Sequence, residues 1–251
     1  MVALITGASS GIGKHMAYTL ASKKIDLVLV ARDKESLEKI KNDLSVDVKV
    51  IALDLLKMEN VYKLYELTKD MNIDILINNA GFGLFGLFQD TDLNRELEMI
   101  DLNIKAYHIL TKLFLKDFVK LNKGYILNVC SSAGFMAGPR LSTYYATKNY
   151  ITKLTLAIHE ELRQSGSKVY IGALCPGPVN TNFNKVAHGE FSIKEADPKY
   201  VAEYAINKMF KKKMVIIPTL RMKIAIFLTR LAPLKLQLLI TYHIQGKKLK
   251  K

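Results

Sequence analysis

The sequence predicts an α/β fold: a doubly wound, seven-stranded parallel sheet with helices on both faces, in a single domain. Three observations carry that expectation. Short runs of Val, Leu, Ile and Ala recur along the chain, and they are apolar throughout rather than alternating, as strands buried on both faces are. Stretches of helical length separate those runs, which is the spacing of βαβ units. The first run feeds directly into a glycine-rich turn, Thr6-Gly-Ala-Ser-Ser-Gly-Ile-Gly13, where a helix must begin. With 251 residues the chain suits one such domain with a full core.

In order, the expected strands are Val2 to Thr6, Leu27 to Ala31, Val48 to Leu53, Ile73 to Ile77, 125–130, Val169 to Leu174 and a short Met214 to Ile217. Between them the spacing predicts helices from about Gly11 to Ser22, Lys34 to Leu44, Val61 to Met71, about Asp101 to Leu121 and about Thr143 to Gln164. Asp33 is placed to cap the second of these. No repeat, low-complexity tract or interdomain linker breaks the pattern. We divide the chain into 1–218, the predicted α/β unit, and 219–251, a basic amphipathic extension.

Charge is unevenly spread. The net charge is +14, yet no acidic residue follows Glu203, and the twelve Lys and Arg beyond it carry most of the excess. They alternate with aliphatic rather than aromatic residues, which argues against nucleic acid as a partner. Cys130 and Cys175 each end an apolar run and read as small buried residues rather than a disulfide or a zinc site. With no basic start before the first apolar run, nothing reads as a signal peptide, and the expected location is the cytoplasm.

The chemistry centres on Tyr144 and Lys148. Four residues apart on a helix, they project from one face. A fixed ammonium so close is expected to pull the phenol pKa below its usual ~10, making Tyr144 a general acid and base for carbonyl–alcohol chemistry. Ser131 ends the strand 125–130, facing the crevice where open α/β sheets bind ligands. Gly7, Gly11 and Gly13 sit where a dinucleotide fold needs them: they permit a tight turn and a close approach of backbone to pyrophosphate. Their spacing is G-x-x-x-G-x-G rather than the usual G-x-G-x-x-G.

With these pieces in place the sequence resembles the classical short-chain dehydrogenases/reductases, on a Rossmann-type fold, from Val2 to about Lys213. The motifs that carry the resemblance are Thr6-Gly-Ala-Ser-Ser-Gly-Ile-Gly13, Asp54, Asn78-Asn-Ala-Gly81, Asn103, Ser131, Tyr144-x-x-x-Lys148 and Pro176-Gly-Pro-Val-Asn-Thr181. The resemblance implies that Tyr144 exchanges the proton with the substrate oxygen and that Ser131 holds that oxygen. It implies that Lys148 lowers the Tyr144 pKa and binds the nicotinamide ribose, while Asn103 positions a water linking Lys148 to solvent. It assigns the pyrophosphate turn to Gly7, Ser9, Ser10, Gly11, Ile12 and Gly13. It assigns the adenosine side to Asp54, Leu55, Asn79, Ala80 and Gly81, and the nicotinamide side to Pro176, Gly177, Val179 and Thr181. Cys130, often a serine in this family, and Ala106, often a glycine, depart from the pattern without removing a group the mechanism uses. Homodimers or homotetramers through the helices near 101–121 and 143–164 are the family habit. A silent nucleotide sensor on the same fold is the competing reading, and four intact catalytic positions argue against it.

For the cofactor, Arg32 directly follows the second strand, where its planar fork suits a 2′-phosphate. Asp33, about twenty residues past Gly13, competes for the ribose but is better placed as a helix cap. NADP(H) is therefore expected over NAD. Phe82, Leu84, Phe85, Phe135 and Met136 supply a greasy wall for a steroid, acyl chain or aromatic ketone, or else ordinary packing. Asn180 to Lys194, with Phe183, Val186 and Phe191, is the expected lid. The run Ile224 to Ile240 is too short and too interrupted to span a bilayer. Three fates are open to it: a wall of the pocket, a subunit interface, or an amphipathic segment lying on an anionic membrane. An Arg32→Asp variant is expected to lose at least about tenfold of its preference for NADP over NAD, read as the ratio of kcat/KM values. An unchanged ratio would remove Arg32 from the cofactor site.

Overall fold

Alternate residues of each central strand face opposite helical layers, and both layers are dry. In the computed structural model, which describes residues 1–183, 187 and 195–246, the expected strands pair into one parallel seven-stranded sheet. They are β1 (Val2–Thr6), β2 (Asp26–Ala31), β3 (Val48–Ala52), β4 (Ile73–Asn78), β5 (Tyr125–Val129), β6 (Tyr170–Leu174) and β7 (Val215–Ile216), in the spatial order β3-β2-β1-β4-β5-β6-β7. Leu4 of β1 lies opposite Val28 and Leu76. These three join a cluster with Val61, Leu110 and Phe114, whereas Ala3 and Ile5 turn to the other face beside Met16, Leu20 and Val201. Each fully buried Leu, Ile or Val contributes roughly 1.5–3 kcal/mol of transfer free energy, so the double-sided burial explains the unbroken apolar runs.

The helices are α1 (Gly11–Ala21), α2 (Lys34–Asn42), α3 (Met58–Thr68), α4 (Leu93–Ile100), α5 (Tyr107–Leu121), α6 (Ser142–Gln164), α7 (Pro198–Phe210), α8 (Leu220–Leu231) and α9 (Leu234–Gly246). Two corrections follow. The long helix expected from Asp101 begins earlier, as α4, and passes through a π-helical stretch, Asp101–Ala106, before α5. Asp92 starts it by accepting from Arg95 N–H at 2.8 Å, a cap signal the sequence carried. Helix α7 was also not expected, although Asp197 caps it by accepting from Tyr200 N–H at 2.9 Å and a proline opens it.

Two polar side chains brace the fold around the site. One is Asn78, at the end of β4. Its amide donates to Asn128 Oδ1 (2.9 Å) and Thr111 Oγ1 (3.1 Å), while Asn128 donates to Thr155 Oγ1 (2.9 Å). This buried network ties β4, β5, α5 and α6 together beneath the ends of the strands. Asp117 accepts from Tyr65 (2.8 Å) and joins α5 to α3. Replacing Asn128 removes an acceptor for Asn78 Nδ2 on one side and the donor to Thr155 Oγ1 on the other. Asn128→Ala is expected to lower the unfolding free energy by about 2–4 kcal/mol in denaturant titration, and a change under about 0.5 kcal/mol would show the network to be dispensable.

Candidate active site

The strand order reverses between β1 and β4, and a cavity of about 710 Å³ opens above the carboxyl ends of the strands. Gly7, Ser9, Ser10, Gly11, Ile12, Arg32, Asp54, Leu55, Asn79, Ala80, Gly81, Ser131, Tyr144, Lys148, Pro176, Gly177, Val179 and Thr181 all line it. Gly13 and Asn103 do not; both stand behind the wall and shape it.

The glycine turn is pressed against the turn after β4. A Cβ on Gly7, whose φ is +64°, would come within 2.8 Å of Ala80 Cα, and one on Gly13 would collide with Gly7 O. Thr6 Oγ1 accepts from the N–H groups of Asn79 (2.9 Å) and Ala80 (3.1 Å), and Asn79 Nδ2 donates back to Thr6 O and Gly7 O, each at 3.0 Å. Helix α1 begins here with no side-chain cap and no acidic residue in its first turn, so its N–H groups suit an anion. The residues present therefore fit a dinucleotide. Asp33 is engaged as the cap of α2, accepting from Ser36 N–H at 3.0 Å, and the Ser36 hydrogen bonds hold its carboxyl below the usual range. Arg32 lines the same stretch of wall, exposed to solvent. Lys14 stands over the Tyr18 ring (5.8 Å) and lies off the cavity.

Tyr144 lies in the first turn of α6 and Lys148 one turn on. Lys148 is 4% exposed, and its Nζ donates to Val129 O at 2.9 Å. It stands 5.2 Å from the Tyr107 ring centre and 5.9 Å from that of Tyr144. Burial pulls its ammonium down to about 8. The Tyr144 phenol departs from the sequence expectation. Part of the residue remains exposed, yet burial pushes its pKa up, and a hydrogen bond with Ser131 opposes this only in part. Lys148 spends its contact on a backbone carbonyl instead of the phenol oxygen, so desolvation outweighs the charge that was expected to favour the phenolate.

Asn103 is reached through the π-helical stretch. Its Oδ1 accepts from Phe82 N–H (3.2 Å), and its Nδ2 donates to Phe82 O (2.8 Å) and Thr147 Oγ1 (3.2 Å). A Cβ on Gly81 would meet Asn103 Oδ1 at 2.7 Å and Lys148 Nζ at 3.7 Å, so this side chain braces the wall beside the lysine. Thr147, not singled out by the sequence, links Asn103 to the Tyr144 carbonyl, donating to it at 2.7 Å. Its lone signal was a threonine beside the lysine on the buried face of α6.

Of the greasy wall, Phe82 and Met136 line the cavity, whereas Leu84, Phe85 and Phe135 do not. Phe85 packs with Leu141 and Tyr145, and Phe135 with Tyr107 and Ile151. The expected lid falls largely outside the described residues, Val186 and Phe191 included. Phe183, which is described, sets its ring 5.3 Å from that of Tyr144. The C-terminal pair of helices adds wall residues that the sequence reading did not name individually. Met222, Leu228, Ile240, Thr241 and Gln245 are among the residues they add to the cavity wall. Gln245 donates to Tyr145 Oη, and Arg140 donates to Tyr242 Oη at 2.8 Å. The tail thus packs over the pocket, the first of its three expected fates.

Residues 1–190 match the family model for the short chain dehydrogenase. An uncharacterized oxidoreductase of Staphylococcus aureus is 32% identical over 217 residues, spanning 85% of this chain and 93% of the relative. Among solved structures, a short-chain dehydrogenase from Sphingobium yanoikuyae in complex with NADPH is 32% identical, with a TM-score of 0.81 over 87% of this chain and 88% of that one. The bulky-bulky ketone specific alcohol dehydrogenase of Comamonas testosteroni is 29% identical, with a TM-score of 0.77 over 92% of each chain.

The lysine gives a pH test. Because its folded pKa lies at about 8, Lys148 is cationic below that pH and loses its charge as pH rises through it. The kcat/KM for carbonyl reduction, which reports ionisations of the free protein, is expected to descend as pH rises through about 8. A profile flat to about pH 10, the range of an ordinary lysine, would contradict the assignment.

Proposed function

The chain belongs to the short-chain dehydrogenase family, and from that premise we propose that it is an NADP(H)-dependent oxidoreductase acting on a carbonyl or secondary alcohol carbon of an apolar substrate. One observation carries the reading: Ser131, Tyr144 and Lys148 face the same cavity as the glycine turn, Arg32 and the Pro176–Thr181 segment. The nicotinamide cofactor, when bound, supplies or accepts the hydride. In reduction, Ser131 and Tyr144 hold the substrate oxygen, and Tyr144 gives it a proton as negative charge develops there. A phenol whose pKa burial has raised is fully protonated at neutral pH, which suits that donor role. Lys148, cationic below about pH 8, offsets the charge left on the phenolate. In oxidation the same proton returns to Tyr144. Asn103 holds the backbone of Phe82 and, through Thr147, the first turn of α6 in place.

NADP is favoured over NAD because Arg32 lines the cavity while Asp33 is occupied as a cap, and the Sphingobium relative is described with NADPH. An apolar substrate is favoured by Phe82, Met136 and Leu141 in the wall, and by the bulky ketones named for the Comamonas relative. Residues 1–218 form the catalytic unit, and 219–251 an extension of which the described part walls the pocket. The chain assembles as a homodimer or homotetramer through α5 and α6, where Val119, Leu121 and Tyr150 are exposed.

The test is NADPH consumption against ketosteroids, 3-ketoacyl thioesters, aryl ketones and small diketones. Tyr144→Phe is expected to cut kcat by about 10²–10⁴-fold with cofactor binding retained. Tight NADPH binding without turnover of any of these would instead favour a silent sensor.

A further inference from the structure

Helices α8 and α9 leave most of their apolar side chains outside, although α8 also buries Ile226. On α8, Leu220, Ile224, Phe227, Leu228 and Leu231 follow the helical repeat along one stripe, and every one of them is exposed. On α9 the residues buried against the body are Thr241 and Gln245, at 6% and 2% exposure, while Leu234, Leu236, Leu239 and Ile240 face solvent. A surface helix ordinarily does the reverse, and contiguous exposed apolar residues of this kind mark an interaction site. The same surface is cationic: Arg221, Lys223 and Lys235 are exposed on it, and no acidic residue occurs anywhere after Glu203. Leu228 and Ile240 belong both to the exposed face and to the cavity wall, so the apolar surface runs without interruption into the pocket. Leu87 and Phe88, also exposed, follow Gly86. Gly86 N–H donates to Arg140 O at 3.0 Å, and Arg140 donates to Tyr242 Oη.

We propose that the outer face of α8 and α9 docks on an anionic membrane surface, with the mouth of the cavity turned toward the lipid. Three features select that occupant. Apolar side chains flanked by Lys and Arg complement an acyl boundary beneath anionic headgroups. A second copy in a two-fold contact would set Arg221, Lys223 and Lys235 against a like-charged face. No helix among the described residues is long and apolar enough to cross a membrane, so the pair lies on the surface rather than through it. An apolar substrate then enters from the lipid side. That last step rests on the apolar-substrate reading above, whereas the docking itself does not.

The experiment is co-sedimentation of the full chain, without substrate or cofactor, with vesicles of phosphatidylcholine alone and of phosphatidylcholine mixed with phosphatidylglycerol. Binding to the anionic vesicles is expected to exceed that to neutral ones by about tenfold or more and to weaken as salt rises. The variant Phe227→Glu with Leu239→Glu, at positions 59% and 56% exposed and off the cavity wall, is expected to lose about tenfold in vesicle binding while keeping its circular dichroism and thermal midpoint. Arg221→Glu with Lys235→Glu, which removes no buried contact, is expected to abolish the preference for anionic lipid. Absence of binding to anionic vesicles would overturn the proposal, as would binding unchanged in both variants. So would a wild-type oligomer that the Phe227→Glu and Leu239→Glu pair splits without affecting vesicle binding, which would make this face a subunit interface. Loss of vesicle binding with full NADPH turnover in solution would separate the docking surface from the catalytic assignment.

Discussion

The site depends on how closely the turn after β1 can approach the turn after β4. Gly7 and Gly13 leave no room for a Cβ, since the first would sit 2.8 Å from Ala80 Cα and the second would collide with Gly7 O. Four hydrogen bonds among Thr6, Gly7, Asn79 and Ala80 then hold the two turns together. Across that seam the strand order reverses, so the helices leave to opposite faces and a crevice must open between them. The cavity is a consequence of chain topology, and the glycines allow its floor to be backbone, which offers N–H groups to an anion.

Beneath this floor a second layer is polar and dry. Asn78, Thr111, Asn128 and Thr155 hydrogen-bond across β4, β5, α5 and α6. The amide donors of the network find acceptors, although Asn78 Oδ1 is left without a donor, and the network fixes α5, which follows the stretch bearing Asn103, relative to α6, which bears Lys148. The ionisable groups above it show the other side of burial. A lysine and a tyrosine in one dry pocket could have stabilised each other as ions. With Nζ on Val129 O, desolvation instead moves both toward neutrality, the lysine down and the phenol up.

The C-terminal helices extend the same theme outward. Thr241 and Gln245 of α9 point in, where Gln245 reaches Tyr145 beside Tyr144, while Ile226 of α8 is buried and most of the other apolar residues point out. An element built this way contributes less to the core than its composition promises, and its apolar surface is available to something other than the protein's own fold.

The sheet, most of its helices and the strand-end turns that line one part of the cavity were legible in the amino-acid sequence, because each rests on a local rule. Buried parallel strands must be apolar throughout, glycines must stand where backbones touch, and i to i+4 residues share a helix face. Tertiary structure decided what no local rule contains. The π-helical stretch that aims Asn103 at Phe82 is one such feature, since an added residue per turn leaves no mark on hydrophobic spacing. The partner of Lys148 is another: spacing places the ammonium near the phenol, but only the assembled β5 places the Val129 carbonyl closer to hand. The orientation of α8 and α9 is the third. An apolar helix is expected to turn its greasy face inward, and here Thr241 and Gln245 occupy the inner face because the pocket wall, not the core, is what lies beneath them.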